Sequence, residues 1–134
     1  MGAWDIGIFA NDVALDFLNE LEELDAIDVS PSLAAAVALP NGEYIEEDAG
    51  VRALVAAELI AAAKDGREER LPEAARRVAS RIGNPPSMEL VAAARIAVRS
   101  VLTSSETKEL RSALSRDEFE KWQNDVKGVL ARLD

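Results

Sequence analysis

One stretch of this chain, residues 49–64, is apolar on nearly every side of the helix that it predicts. Its sequence is AGVRALVAAELIAAAK, in which only Arg52, Glu58 and Lys64 are charged. A helix that is apolar all round is buried by its neighbours, and alanines allow those neighbours to approach closely. We therefore predict a helix from about residue 46 to residue 64, ended by Gly66, at the centre of a bundle.

The flanking segments carry the signals of further helices. Apolar residues between positions 13 and 27 recur at steps of three and four, which predicts one buried helix face. Three more helices are predicted to open with a proline in the first turn, at Pro31, Pro72 and Pro86. Capping boxes are predicted at Thr103 with Glu106, and at Ser115 with Glu118.

No segment shows the alternating pattern of a strand. The predicted fold class is all-α: a single compact bundle or array of six or seven helices around the Ala-rich central helix, forming one domain over residues 1–134. The chain lacks cysteine and histidine, which excludes disulfides, thiolate metal sites and histidine-based catalysis. Neither a secretory signal nor a membrane-spanning run is visible, so the predicted location is the cytoplasm, without membrane attachment.

The charge is divided unevenly along the chain. The first 51 residues contain 12 acidic residues and no basic one, whereas the remainder is close to neutral, for a net charge of −10. Phosphate would be repelled by the first segment, so nucleic acid is not expected as a direct ligand. The acids must be neutralised either by arginines of the second segment or by a basic partner.

The opening residues GAWDIGIFANDVALDFLNELEE resemble the signature of a bacterial family of uncharacterised proteins, the domain-of-unknown-function family 4259. The matching positions are Gly2, Trp4, Gly7, Phe9, Asn11, Asp12, Ala14, Phe17 and Leu18. Near the other end, Leu110, Trp122 and Leu130 also match, whereas Asp5 and Ile8 stand where the family often has glycine and proline. The resemblance implies a fold and no mechanism.

Four acidic residues of the first predicted helix lie along one face: Asp12, Asp16, Glu20 and Glu23. Like charges at these spacings destabilise an isolated helix by about 0.2–0.5 kcal/mol per pair. The face is therefore either solvated near basic neighbours or a docking surface for a basic protein. A third alternative is a Mg²⁺ site formed by Glu20, Glu23, Glu43 and Glu46, because carboxylates at helical spacing suit that ion.

Two further features have both a structural and a functional interpretation. Trp4 and Phe9 form an aromatic N-terminal motif, which either closes one end of the core or acts as a recognition loop. Glu58 is surrounded in its helix by apolar residues, so we predict a structural ion pair with an arginine of the fifth helix, Arg95 first and Arg99 second.

Arg76, Arg77 and Arg81 form a basic face that is expected to lie near the acids of the first segment or solvent. No catalytic residue is assigned. The function predicted first is a non-enzymatic acidic interaction module, for example an immunity or antitoxin-like inhibitor of a basic partner, without a cofactor. The alternative is a Mg²⁺-dependent hydrolase of phosphorylated small molecules, similar to all-α nucleotide pyrophosphatases.

Overall fold

A computed structural model describes residues 12–24, 28–39, 44–67, 71–82, 85–113 and 115–134. Seven α-helices lie in these ranges: α1 (Asp12–Glu23), α2 (Ser30–Val37), α3 (Glu47–Asp65), α4 (Glu73–Ala79), α5 (Met88–Thr103), α6 (Glu106–Ser112) and α7 (Arg116–Leu133). The described ranges contain no strand, and their one isolated bridge joins Ile45 to Ser105. The all-α prediction is confirmed.

Helix α3 is the centre of the array, as its apolar sequence predicts. It packs against each of the other six helices. Its side chains are buried without interruption from Ala53 to Ala62. The helix ends at Gly66, whose φ of 73° lies in the left-handed region and whose N–H donates to the carbonyl of Ala62 at 2.8 Å. A residue with a side chain would be strained in that conformation, which is why glycine ends the helix there.

The two predicted capping boxes have different outcomes. Ser115 caps α7 as predicted: its hydroxyl accepts from the N–H of Glu118 and lies 2.9 Å from a carboxylate oxygen of the same residue. The box of Thr103 with Glu106 is wrong, because α5 continues through Thr103 and Ser105 caps α6 instead. Ser105 accepts the N–H of Lys108 at 3.0 Å.

Helix α1 is shorter than its apolar spacing predicts. The pattern extends to Ile27, but the helix ends at Glu23, and residues 25–27 lie outside the described ranges. The Arg81 guanidinium, from the turn after α4, donates to the carbonyls of Leu21 at 3.2 Å and Leu24 at 2.6 Å and so satisfies backbone acceptors at the end of α1. None of the helices in the described ranges combines the length and apolar composition needed to span a membrane.

Candidate functional site

The outward face of α1 carries all four predicted acidic residues. Asp12, Asp16, Glu20 and Glu23 are exposed, while Phe17, Leu18 and Leu21 of the same helix are buried against the core. Leu15 lies between the acids and is 49% exposed. This acidic face, defined by Asp12, Leu15, Asp16, Glu20 and Glu23, therefore combines negative charge with one apolar side chain.

Two arginines of the second segment neutralise part of α1. Arg52 of α3 approaches Glu20 at 3.4 Å, and its guanidinium carbon lies 5.3 Å from the centre of the Phe17 ring. Arg77 of α4 is 2.7 Å from Glu22. The hydrogen bond to Glu22 and its charge raise the pKa of Arg77 above its ordinary value. The second segment thus provides counter-charge to the first, as the charge distribution predicts.

The negative charge of α1 is only partly compensated by arginines. Asp12, Asp16 and Glu23 form no ion pair with any residue in the described ranges. Arg81, the third predicted member of the basic face, donates to the carboxyl-terminal carbonyls of α1, and Arg76 is exposed. Negative charge therefore remains at Asp12 and Asp16, which precede and follow Leu15 in the first half of α1, and at Glu23, its last residue.

Glu58 forms the predicted ion pair, but with a different arginine. Its two carboxylate oxygens each accept from Arg132 of α7 at 3.2 Å, and both side chains are 11% exposed. Arg95, the predicted partner, makes its ion pair with Asp134 at 3.4 Å, and Arg99 lies 3.9 Å from the same carboxylate. The prediction was wrong about the helix because α5 and α7 both pack on α3, and sequence spacing does not say which one faces Glu58.

Asp65 extends this network to the surface: its carboxylate lies 2.7 Å from Arg132, and its side chain is 22% exposed. Burial would raise the pKa of Asp65, but hydrogen bonds from the Arg132 guanidinium and the Arg67 backbone N–H outweigh it and hold the pKa below 3.8. The resulting stabilisation is present above pH 3.8 and is lost as the pH falls through the lower pKa of the folded state. All of these groups are engaged with one another, so the network is structural.

A second polar cluster was not predicted from the sequence. It joins Tyr44, before α3, and Glu47, the first residue of α3, to α6. Tyr44 donates to Glu109 at 2.6 Å, which raises the pKa of Tyr44 to about 12. Glu106 accepts the backbone N–H of Glu47 at 2.9 Å, and Arg111 lies 3.2 Å from the Glu47 carboxylate. The paired residues are 59 to 65 positions apart, so no local pattern could have indicated them.

Comparison with protein families agrees with this architecture. The family model described as a domain of unknown function, DUF4259, matches residues 2–125. The chain belongs to the DUF4259 family. The match confirms the resemblance carried by the opening and closing motifs. Neither a curated protein nor a solved structure is similar enough to match.

The DUF4259 match includes the aromatic motif, but Trp4 and Phe9 lie outside the described residues, as do Asp5 and Ile8. The carboxylates of the metal alternative are only partly described, because Glu43 also lies outside. Glu20 is paired with Arg52, and Glu46 occupies the position before the first turn of α3. Within the described part of this DUF4259 protein, no three acidic residues lie close enough together to hold a metal ion.

Proposed function

We propose that this protein is a non-enzymatic interaction module that binds a basic protein through the acidic face of α1. The observation that carries the proposal is the uncompensated charge at Asp12, Asp16 and Glu23, with the exposed Leu15 between the first two. Acidic side chains around an apolar one resemble a protein interface in which charge guides the approach and an apolar anchor is buried on contact.

The contacts that hold α1 against the rest of the protein suit such a role. A binding face presented by a fixed helix loses less conformational freedom on association than a face presented by a loop. Here the buried face of α1 packs on α3 and α4, Arg52 stacks over Phe17, and Arg81 holds the last carbonyls. Because Arg52 pairs with only one outward acid, Glu20, and Arg81 contacts the end of α1, the other three outward acids are left to a partner.

The partner class that this chemistry favours is a protein with a cationic surface. Proteins that act on nucleic acids carry such surfaces to bind phosphate, and an acidic helix can occupy the same surface. The specific form of the proposal is an immunity or antitoxin-like inhibitor that covers a nuclease or another cationic toxin. A basic protein encoded beside the gene is the first candidate to be purified and tested.

The association rate with that partner should depend on where the acids lie. We expect the double variant Asp12→Asn with Asp16→Asn to slow association at low salt by about tenfold, because steering by local charge contributes about 10- to 1,000-fold to such rates. The matched control, Asp48→Asn with Asp117→Asn, also removes two exposed acids but from α3 and α7, and it should leave the rate nearly unchanged. Stopped-flow mixing over a range of salt concentrations measures both.

Equal slowing by the two double variants would show that only net charge matters and would contradict the assignment to α1. Failure of every cationic neighbour to bind would remove the immunity form of the proposal. Leu15→Ala adds a separate readout, because loss of an apolar anchor speeds dissociation, whereas loss of a steering charge mainly slows association.

Thermal unfolding with and without excess Mg²⁺ tests the hydrolase alternative directly. A ligand that binds only the folded state stabilises it by about 2.7 kcal/mol at 100 times its Kd. We expect no change in the unfolding midpoint, because an interaction module requires no ion at Glu20. A Mg²⁺-dependent increase that disappears in Glu20→Gln would instead support the site of Glu20, Glu23, Glu43 and Glu46.

A further inference from the structure

A second exposed surface lies away from α1, where α2 and α5 pack side by side. Met88 is 86% exposed and Ile96 is 60% exposed, and Ala92 lies between them at helical spacing. Helix α2 contains no charged residue, and its outward positions include Pro31 and Ala34. We call Pro31, Ala34, Met88, Ala92 and Ile96 the apolar face.

This surface is not flat. A cleft of about 410 Å³ runs between the amino-terminal parts of the two helices. Its lining is mainly apolar, with Pro31, Ala34, Leu90 and Ala93 among its residues, and the acids Asp28 and Glu89 also line it. This surface therefore has both a cleft that can accept side chains and two exposed apolar side chains, Met88 and Ile96.

Charge along α5 is arranged with opposite signs at its two ends. Glu89 lies in the first turn, Arg95 lies at the middle and Arg99 lies in the second half. Between Glu89 and Arg95 the outward side chain is Ala92. Asp134 contacts both arginines. Its ion pair with Arg99 is weak, because the two groups are 3.9 Å apart and both side chains are exposed.

We propose that two copies of this chain pair through their apolar faces with the α5 helices antiparallel. The sequence of α5 is self-complementary in that orientation. A two-fold axis at the level of Ala94 brings Ala92 to the level of Ile96 of the second copy. It also brings Glu89 to the level of Arg99 of the second copy, and two-fold symmetry repeats each pairing.

The size of the face sets the strength of the pairing. Helix α5 is about 24 Å long and α2 about 12 Å long, and each is about 10 Å wide, which gives about 360 Å² per copy. A standard stable interface covers about 800 Å² per partner, so we expect a reversible dimer that forms at micromolar or higher concentrations.

Sedimentation equilibrium of the full chain tests the proposal. Over a concentration series from about 5 µM to about 500 µM, the mean mass should rise from 14.4 kDa towards twice that value. Ile96→Arg should remain monomeric throughout, because it replaces an apolar contact with Ala92 by a charged side chain in both copies. Far-ultraviolet circular dichroism checks that the Ile96→Arg variant is folded. We expect it to fold because the Ile96 side chain is exposed in the original chain.

A charge exchange tests the orientation. Glu89→Arg alone and Arg99→Glu alone should each weaken dimerisation at least tenfold, because each places like charges at the same level. The double exchange in one chain, and an equimolar mixture of the two single variants, should both restore it. Asp117→Arg, which changes the net charge as much as Glu89→Arg but lies on α7, should dimerise like the original chain.

Three results would overturn the proposal. The first is a monomer at every concentration of the unaltered chain. The second is a dimer that Ile96→Arg leaves intact, which would place the interface elsewhere. The third is failure of the double exchange and of the mixture to recover, which would contradict the antiparallel register.

Discussion

Replacing Arg132 by methionine is expected to lower the free energy of unfolding by about 3–5 kcal/mol, the usual effect of breaking one side of a buried ion pair. The guanidinium contacts Glu58 at 3.2 Å and Asp65 at 2.7 Å, and only 11% of the Arg132 side chain is exposed. Methionine would fill much of the volume but leave two carboxylates without their shared cation. Urea denaturation of both proteins at neutral pH measures the difference.

Two comparisons separate the loss of charge from the loss of packing. Adding Glu58→Gln to Arg132→Met should recover part of the stability, because one of the two uncompensated charges is then removed. Arg116→Met provides the matched control: Arg116 pairs with Glu120 on the surface of α7 and is 91% exposed, so its loss should change stability by less than about 1 kcal/mol. Similar losses at positions 116 and 132 would mean that the buried network contributes little.

The central position of α3 could be predicted from its sequence because the property is local. Sixteen consecutive residues with three charges fix the amount of apolar surface that neighbours must cover. The end of the helix at Gly66 and the start of α7 at Ser115 are also local, since each depends on one residue and the hydrogen bonds within four positions of it. Predictions of this kind were confirmed except at Thr103, where the local capping pattern was displaced by two residues because α5 continues through it and Ser105 caps α6.

Predictions that required knowledge of neighbouring helices were less successful. The apolar setting of Glu58 indicated an ion pair but did not identify its helix. Arg132 carries a weak signal, because it follows buried Val129 by three positions and precedes buried Leu133. That position places it at the edge of the buried face of α7. Arg95 interrupts an apolar run in the same way, so the choice between α5 and α7 depended on the packing of α3 against both.

The acids of α1 illustrate how charge can be predicted in total but not residue by residue. Segment charges indicated that arginines would approach α1, and Arg52 and Arg77 do so. Their partners are Glu20 and Glu22, of which only Glu20 belongs to the predicted acidic face. Arg81 donates to backbone carbonyls at the end of α1, where the helix exposes acceptors that have no partner within it.

The two proposed surfaces use different helices. In the proposed dimer, α2 and α5 are covered, whereas α1 belongs to neither side of that contact. Each dimer would then present two acidic faces. A partner with two cationic sites, or two copies of a partner held together, would bind such a dimer more tightly than a monomer because the second contact is intramolecular. Ile96→Arg would remove this gain without altering α1.

The contact between α3 and α6 leads to the second large effect. Gly50 lies in the first turn of α3, and a side-chain carbon built there would collide with the Thr107 hydroxyl and lie 3.3 Å from the Thr107 Cβ. Thr107 is fully buried, so it cannot move into solvent. Gly50→Val should therefore destabilise the protein by about 3 kcal/mol, the upper end of the usual effect of overpacking. Thermal and urea unfolding measure the loss.

A matched pair of alanine substitutions isolates the cause. Alanine is preferred over glycine inside a helix by about 1 kcal/mol, so a glycine without a packing role should be improved by the change. Gly128 of α7 is such a position, because a Cβ there meets no atom within 4 Å, and Gly128→Ala should stabilise the protein. Gly50→Ala should destabilise it, and adding Thr107→Ala should reverse part of that loss. If both glycines respond with the same gain in stability, the close approach of α3 and α6 is not present.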